Sequence, residues 1–145
     1  MDNPALVNGA CHCGTVRFVV RLSEGIEKSR RCNCSLCRMR GAVVLSAHLI
    51  DLTITSGREA LNLYQFNTMT AEHHFCSIYG IYTHHRRRSN PNEISVNVAC
   101  LEGVSPFDFA CVPVFEGVQH PNDAPTAGAD PIAGYLRYEK AEKPS

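Results

Sequence analysis

The sequence predicts a mainly β chain, built from short antiparallel strands with metal-binding knuckles between them. Two observations carry this. Segments rich in β-branched and aromatic residues recur along the chain, while no stretch sustains a long helical period. Eight cysteines stand in 145 residues, most of them in short motifs with metal-ligand spacing. The length suits one domain, and a hydrophobic content of 44% is enough for a real core.

Taken in order, Gly14–Leu22 has the composition and partial alternation of a strand. Ala42–Ala47 and Leu52–Thr55 read as two more, the second stopped by Ser56-Gly57. Leu61–Phe66 suits strand or helix, since Glu59 and Ala60 favour a helical start and Tyr64 and Phe66 favour a strand. His73–Cys76, Gly80–His84 and Ile94–Cys100 complete the strands. Helix is expected only in short pieces, at Ser35–Arg40 and Ser105–Phe109. Ser89-Asn-Pro-Asn92 is a turn signal. From these a domain over 1–117 is expected, with a Pro/Gly/Ala-rich irregular tail over 118–145.

The formal net charge is zero, from 14 basic and 14 acidic residues. A nucleic-acid or membrane-surface protein normally carries a basic excess, so neither partner is expected. The first residues lack a basic and apolar leader pattern, and no apolar run approaches the ~18–20 residues of a spanning helix. The expectation is a soluble, cytoplasmic protein, where clustered cysteines serve as metal ligands rather than disulfides.

The most informative run is Cys32-Asn-Cys-Ser-Leu-Cys37, a C-x-C-x-x-C. Three thiols this close can converge on one ion, and a zinc with three protein ligands keeps a position open for water or substrate. Upstream, Cys11-His-Cys13-Gly14 places two thiols two residues apart, on one side of an extended segment. Downstream, Phe75-Cys-Ser-Ile-Tyr-Gly80 has the form F-C-x-x-C-G with Tyr79 where the second cysteine would stand.

In this order the three elements resemble the glutathione-dependent formaldehyde-activating enzyme family, which includes centromere protein V-like members. The resemblance covers roughly residues 8–103 and implies a β-tent fold with two zinc sites. It implies that Cys32, Cys34 and Cys37 hold a catalytic zinc open to a thiol substrate. It assigns Cys11, Cys13 and Cys76 to a structural zinc. Tyr79 departs from the pattern, because a phenol is a much poorer ligand than a thiolate. His74, His84 or His85 could replace the missing thiolate, water could complete the site, or the three thiols could pack without metal.

Zinc with three thiolates carries a formal charge of −1, so it is a weak Lewis acid but suits a soft thiolate ligand. A further thiolate raises the charge to −2 and calls for nearby cations. Arg30, Arg31, Arg38 and Arg40 bracket the triplet, and Arg86, Arg87 and Arg88 form a second cluster. Arg38, Arg40, His85 and Arg87 are the expected contacts for an anionic thiol such as glutathione. The stretch from His84 to Pro91 reads either as a loop over the zinc pocket or as a polar turn leaving a strand. The reaction implied by the resemblance is reversible addition of a thiol to a small aldehyde such as formaldehyde, a carbon–sulfur lyase chemistry. The alternative is a non-catalytic zinc module for a protein or nucleic-acid partner, with the triplet closed by Cys100 or a histidine. A reductase acting through a metal-free cysteine is disfavoured, because Cys100 and Cys111 sit in apolar company and are expected to be buried.

Overall fold

The computed structural model describes residues 5–118 and 132–142. Ten strands and one helix appear among them: β1 (Leu6–Ala10), β2 (Arg17–Leu22), β3 (Arg31–Cys32), α1 (Ser35–Arg40), β4 (Val44–Ser56), β5 (Leu61–Tyr64), β6 (Glu72–Cys76), β7 (Tyr82–Arg86), β8 (Glu93–Asn97), β9 (Cys111–Phe115) and β10 (Ile132–Arg137). Seven strands form one sheet in the order β1-β2-β4-β8-β7-β6-β5, antiparallel throughout. A second sheet, β10-β9-β3, pairs β3 parallel to β9. This is a mainly β fold of the β-tent kind, with its cysteine clusters at strand ends.

The core follows from alternation. In β2 the side chains of Phe18, Val20 and Leu22 are buried, two residues apart on one face. They meet Leu45 and Ala47 of β4 and Ile94 and Val96 of β8 in a single cluster. The two strands expected at 42–47 and 52–55 are one continuous β4. Its register against β2 jumps from Val20↔Leu52 to Leu22↔Ala47, so the polar and exposed residues between them bulge rather than turn. Leu61–Tyr64 is strand, and Ser35–Arg40 is the helix expected there. Pro106–Asp108 and Val98–Cys100 are single 3-10 turns, so the strand expected over Ile94–Cys100 ends at Asn97.

Three expectations are corrected. Ile132–Arg137, within the stretch expected to be irregular, is a strand paired to β9; most of the remaining tail, His120 included, lies outside the described residues. Cys111 is exposed rather than buried, since it opens β9 on the face opposite the buried Val112. The strand expected over Gly80–His84 is Tyr82–Arg86, so His85 and Arg86, in the stretch read as a loop or as a turn leaving a strand, still belong to β7.

The β6–β7 ladder carries four imidazoles. His73 pairs with His85 and His74 with His84, and each pair makes a ring contact, at 4.9 and 4.6 Å between centroids. Burial lowers His84 to about 3 and His73, with help from the Arg40 charge, to about 4. A histidine whose folded value lies below the unfolded one binds fewer protons when folded. Stability is then complete above about pH 6.5 and is lost as pH falls towards those values. Urea unfolding of chelator-treated protein should therefore show stability falling below pH 6.5. The expected slope is up to about 1.4 kcal/mol per pH unit for each such ring. His84→Gln should flatten it; an unchanged slope in that variant would show that His84 does not hold its proton off in the fold.

Candidate metal and thiol site

The triplet sits where β3 leads into α1. Cys34 is the N-cap of α1, and its Sγ accepts from the backbone N–H of Cys37 at 3.3 Å. Cys32 Sγ accepts from the backbone N–H of Cys34 at 3.4 Å. Gly41 ends the helix in the left-handed region, at φ 70°, where its N–H returns to the Cys37 carbonyl. The local turn thus turns the three sulfurs inward, all within 4.8 Å of one another.

Three sulfurs at this spacing cannot all ionise without a compensating cation. Hydrogen bonds from the Cys32 and Cys37 thiols, and then from backbone N–H groups, push Cys34 well below the ordinary thiol value. The same thiol contacts raise Cys32 and Cys37, which keep their protons so long as Cys34 holds the charge. A divalent soft ion would release all three, and three thiolates with N–H donors already in place suit zinc.

Two features that sequence reasoning missed close the site from the other side. Asn33, inside the motif, accepts through Oδ1 from the backbone N–H of Gly117 at 2.6 Å and of Val118 at 3.2 Å. Gly117 lies so near that a Cβ there would come within 2.5 Å of Cys32 Sγ and 2.9 Å of Cys34 Cβ. An Asn between two cysteines and a Gly after a strand are common enough that neither gave a usable signal.

Arg40, at the end of α1, connects the triplet to the large sheet. Its Nη2 donates to Cys37 Sγ at 3.3 Å, and its guanidinium lies 3.7 Å over the Tyr82 ring. Its Nη1 is 3.1 Å from His73 Nδ1 and its Nη2 is 3.4 Å from His85 Nδ1. The Tyr82 hydroxyl oxygen is 2.6 Å from the same His85 nitrogen. Burial and then the Arg40 charge hold His85 well below its ordinary value, so both rings facing Arg40 are neutral at pH 7.

The triplet opens onto a cavity of about 400 Å³. Its walls include Arg30, Arg31, Arg87 and Arg88, with Glu116 as the carboxylate among the lining residues. Arg30 lies 3.7 Å over the Phe115 ring, and Arg87 donates to Glu93, Ser95 and Ser46. Burial first, and then the Arg87 charge, lower Arg30 from its ordinary value. Of the residues expected to contact substrate, Arg40, His85 and Arg87 line this cavity. Arg38 is exposed on α1 and is not in the lining.

Cys11, Cys13 and Cys76 form the second cluster, their sulfurs also within 4.8 Å of one another. Cys11 Sγ is 3.3 Å from Cys13 Sγ and accepts from the Val16 N–H, while Cys13 Sγ is 3.7 Å from Cys76 Sγ. The side-chain and backbone hydrogen bonds of Thr15 draw Cys13 down to about 6. No histidine joins this cluster among the described residues: His74 stacks on His84, and His85 faces Arg40. Tyr79 is 81% exposed, so its ring does not cover the thiols.

Comparison with known proteins agrees with this arrangement. A crystal structure of a Rhodobacter sphaeroides protein matches with a TM-score of 0.72 and 56% identity, over 74% of this chain and 98% of that one. A Halomonas elongata protein, named provisionally as a glutathione-dependent formaldehyde-activating enzyme, is 38% identical over 81 residues. That match covers 50% of each chain, so this chain spans about half the length of that curated relative. The profile of the glutathione-dependent formaldehyde-activating enzyme family matches residues 6–113. With both cysteine clusters formed inside the matched segment, the chain belongs to the glutathione-dependent formaldehyde-activating enzyme family.

Proposed function

We propose that the chain is a zinc-dependent carbon–sulfur lyase. It binds a thiol such as glutathione beside Cys32, Cys34 and Cys37 and adds it reversibly to a small aldehyde such as formaldehyde. One observation carries the reading: three convergent thiols open onto a cavity of about 400 Å³ whose walls are rich in arginine. That volume lies in the range of small-molecule sites, and a thiol carrying carboxylates matches the charge of the walls. The cavity favours this reading over a non-catalytic module. Eight free thiols also suit a reducing compartment such as the cytoplasm.

Cys32, Cys34 and Cys37 would hold the catalytic zinc, and Cys11, Cys13 and Cys76 would hold a second. Bound zinc would keep an incoming sulfur as thiolate at neutral pH. The chain's own residues do the rest. Arg40 places positive charge 3.3 Å from Cys37 Sγ, offsetting the anionic sulfur set. Arg30, stacked on Phe115, and Arg87, tied to Glu93, are held in place before an anion arrives, so binding costs them little conformational entropy. Phe66 and Phe115 supply apolar wall and limit the water around the reacting sulfur.

Cys34→Ser tests the site directly. Serine is a good N-cap, so α1 and the β signature in circular dichroism should persist while thiol binding and activity are lost. Unfolding of that variant would instead mark the triplet as a structural knuckle. Arg31→Ala should weaken glutathione binding by about 1–3 kcal/mol in calorimetric titration, the scale of a hydrogen bond to a charged group. Arg38→Ala, outside the cavity, should not. Equal losses in both would mean that general charge, not the cavity, attracts the thiol.

The second cluster has its own test. Tyr79→Cys supplies the fourth thiol that the motif lacks. Protein challenged with chelator should then retain an additional zinc equivalent, measured by elemental analysis. No added retention would show that this position does not turn towards Cys11, Cys13 and Cys76.

A further inference from the structure

We infer that His73 and His85 form a paired N–H donor for the carbonyl oxygen of the aldehyde, held in that state by Arg40. The inference rests on the thiol-addition reading above. A guanidinium has only N–H donors and cannot accept. Arg40 presents Nη1 to His73 Nδ1 at 3.1 Å and Nη2 to His85 Nδ1 at 3.4 Å. Both Nδ1 atoms are therefore acceptors, and each ring carries its proton on Nε2. The Tyr82 hydroxyl lies 2.6 Å from the same His85 nitrogen and 3.3 Å from the Ser95 carbonyl oxygen, so its single proton serves one of the two and the Arg40 contact is what sets the tautomer. The low proton affinity that burial and Arg40 impose on both rings keeps them neutral, each with one donor.

The two Nε2–H groups have somewhere to point. Neither hydrogen-bonds to another described residue, yet Arg40 Nε is the sole buried side-chain N or O atom without a partner among the described residues. Both Nε2 atoms therefore reach open space, and both rings line the cavity that holds the triplet. The rings sit at directly paired positions of β6 and β7, with centroids 4.9 Å apart. Two donors this close can share one oxygen.

The step balances without an oxidant. Sulfur of the bound thiolate forms a bond to the carbonyl carbon, and the C=O π pair moves onto oxygen. The two Nε2–H groups hold that oxygen while it is anionic. The thiol has already given its proton to solvent, and a solvent proton completes the hydroxyl, so the net reaction is addition of S–H across C=O. In reverse, the C–S bond breaks and the pair returns to sulfur. Donors preorganised around a developing oxyanion are worth about 10²–10³ in rate each when removed. Arg40 acts here as a positioning residue, through the imidazoles.

The test uses zinc-loaded, ¹⁵N-labelled protein. Long-range ¹H–¹⁵N correlation spectra should show both rings as Nε2–H tautomers, and formate, a small oxyanion, should shift both Nε2 resonances. In turnover with glutathione and formaldehyde, His73→Leu and His85→Leu should each lower kcat by roughly 100–1,000-fold, with the calorimetric Kd for glutathione unchanged. His85→Gln, whose amide can donate, should recover part of the loss. An Nδ1–H tautomer at either ring, or Nε2 resonances blind to formate, overturns the inference even if the variants fail to fold. Variants that lose glutathione affinity in step with kcat also overturn it, because the histidines then serve thiol binding. Wild-type protein that binds no glutathione defeats the thiol-addition reading itself, and this inference with it.

Discussion

Arg40 and the Cys37 sulfur make the contact on which the site depends. The guanidinium stacks on Tyr82, its Nε is buried without a partner, and no carboxylate pairs with it among the described residues. Desolvating part of an arginine with no anion beside it costs free energy, and Arg40 is half-buried. The contact that can supply negative charge is Cys37 Sγ, 3.3 Å away. The converse holds for the triplet, whose crowded thiols ionise together only where positive charge is near. Arg40 therefore does three things. It docks α1, a helix of six residues that has no stability of its own, against β7. It favours thiolate at the triplet, and it fixes the protons of two cavity histidines.

The two cysteine clusters show how surroundings separate like ligand sets. Each brings three sulfurs within 4.8 Å of one another. Around Cys32, Cys34 and Cys37 the neighbours are arginines and a cavity. Around Cys11, Cys13 and Cys76 they are backbone N–H groups, Thr15 and the buried Val16. The first arrangement suits a small anionic thiol. The second suits a brace that ties the β1–β2 connection to the end of β6.

Much of this was legible in the sequence, for local reasons. Cysteine spacing reports local ligand geometry directly, so the triplet and the Cys11–Cys13 pair could be read from it, while Cys76 joined that pair only through the family resemblance. The strand Arg17–Leu22 showed in the partial alternation of Gly14–Leu22, and Ser35–Arg40 is the short helix expected there. What stayed hidden depends on distant partners. β9 and β10 are strands because they pair with each other, β9 also pairing with β3, and Cys111 is exposed because of where β9 begins. A short helix over Ser35–Arg40 already implied that Arg38 and Arg40 need not project alike, but that Arg40 is the one turned inward, onto Tyr82, depends on how α1 packs. His73 and His85 are far apart in the chain and meet only through the β6–β7 register.

The central claim is that the triplet binds metal with one position left for a substrate sulfur. Zinc X-ray absorption on the Tyr79→Cys variant, in which the second cluster has a complete thiol set, isolates the change at the triplet. Glutathione should add a sulfur scatterer to the average zinc shell, at the expense of a lighter oxygen or nitrogen. A shell unchanged at saturating glutathione would contradict it, since the thiol would then bind elsewhere or not at all.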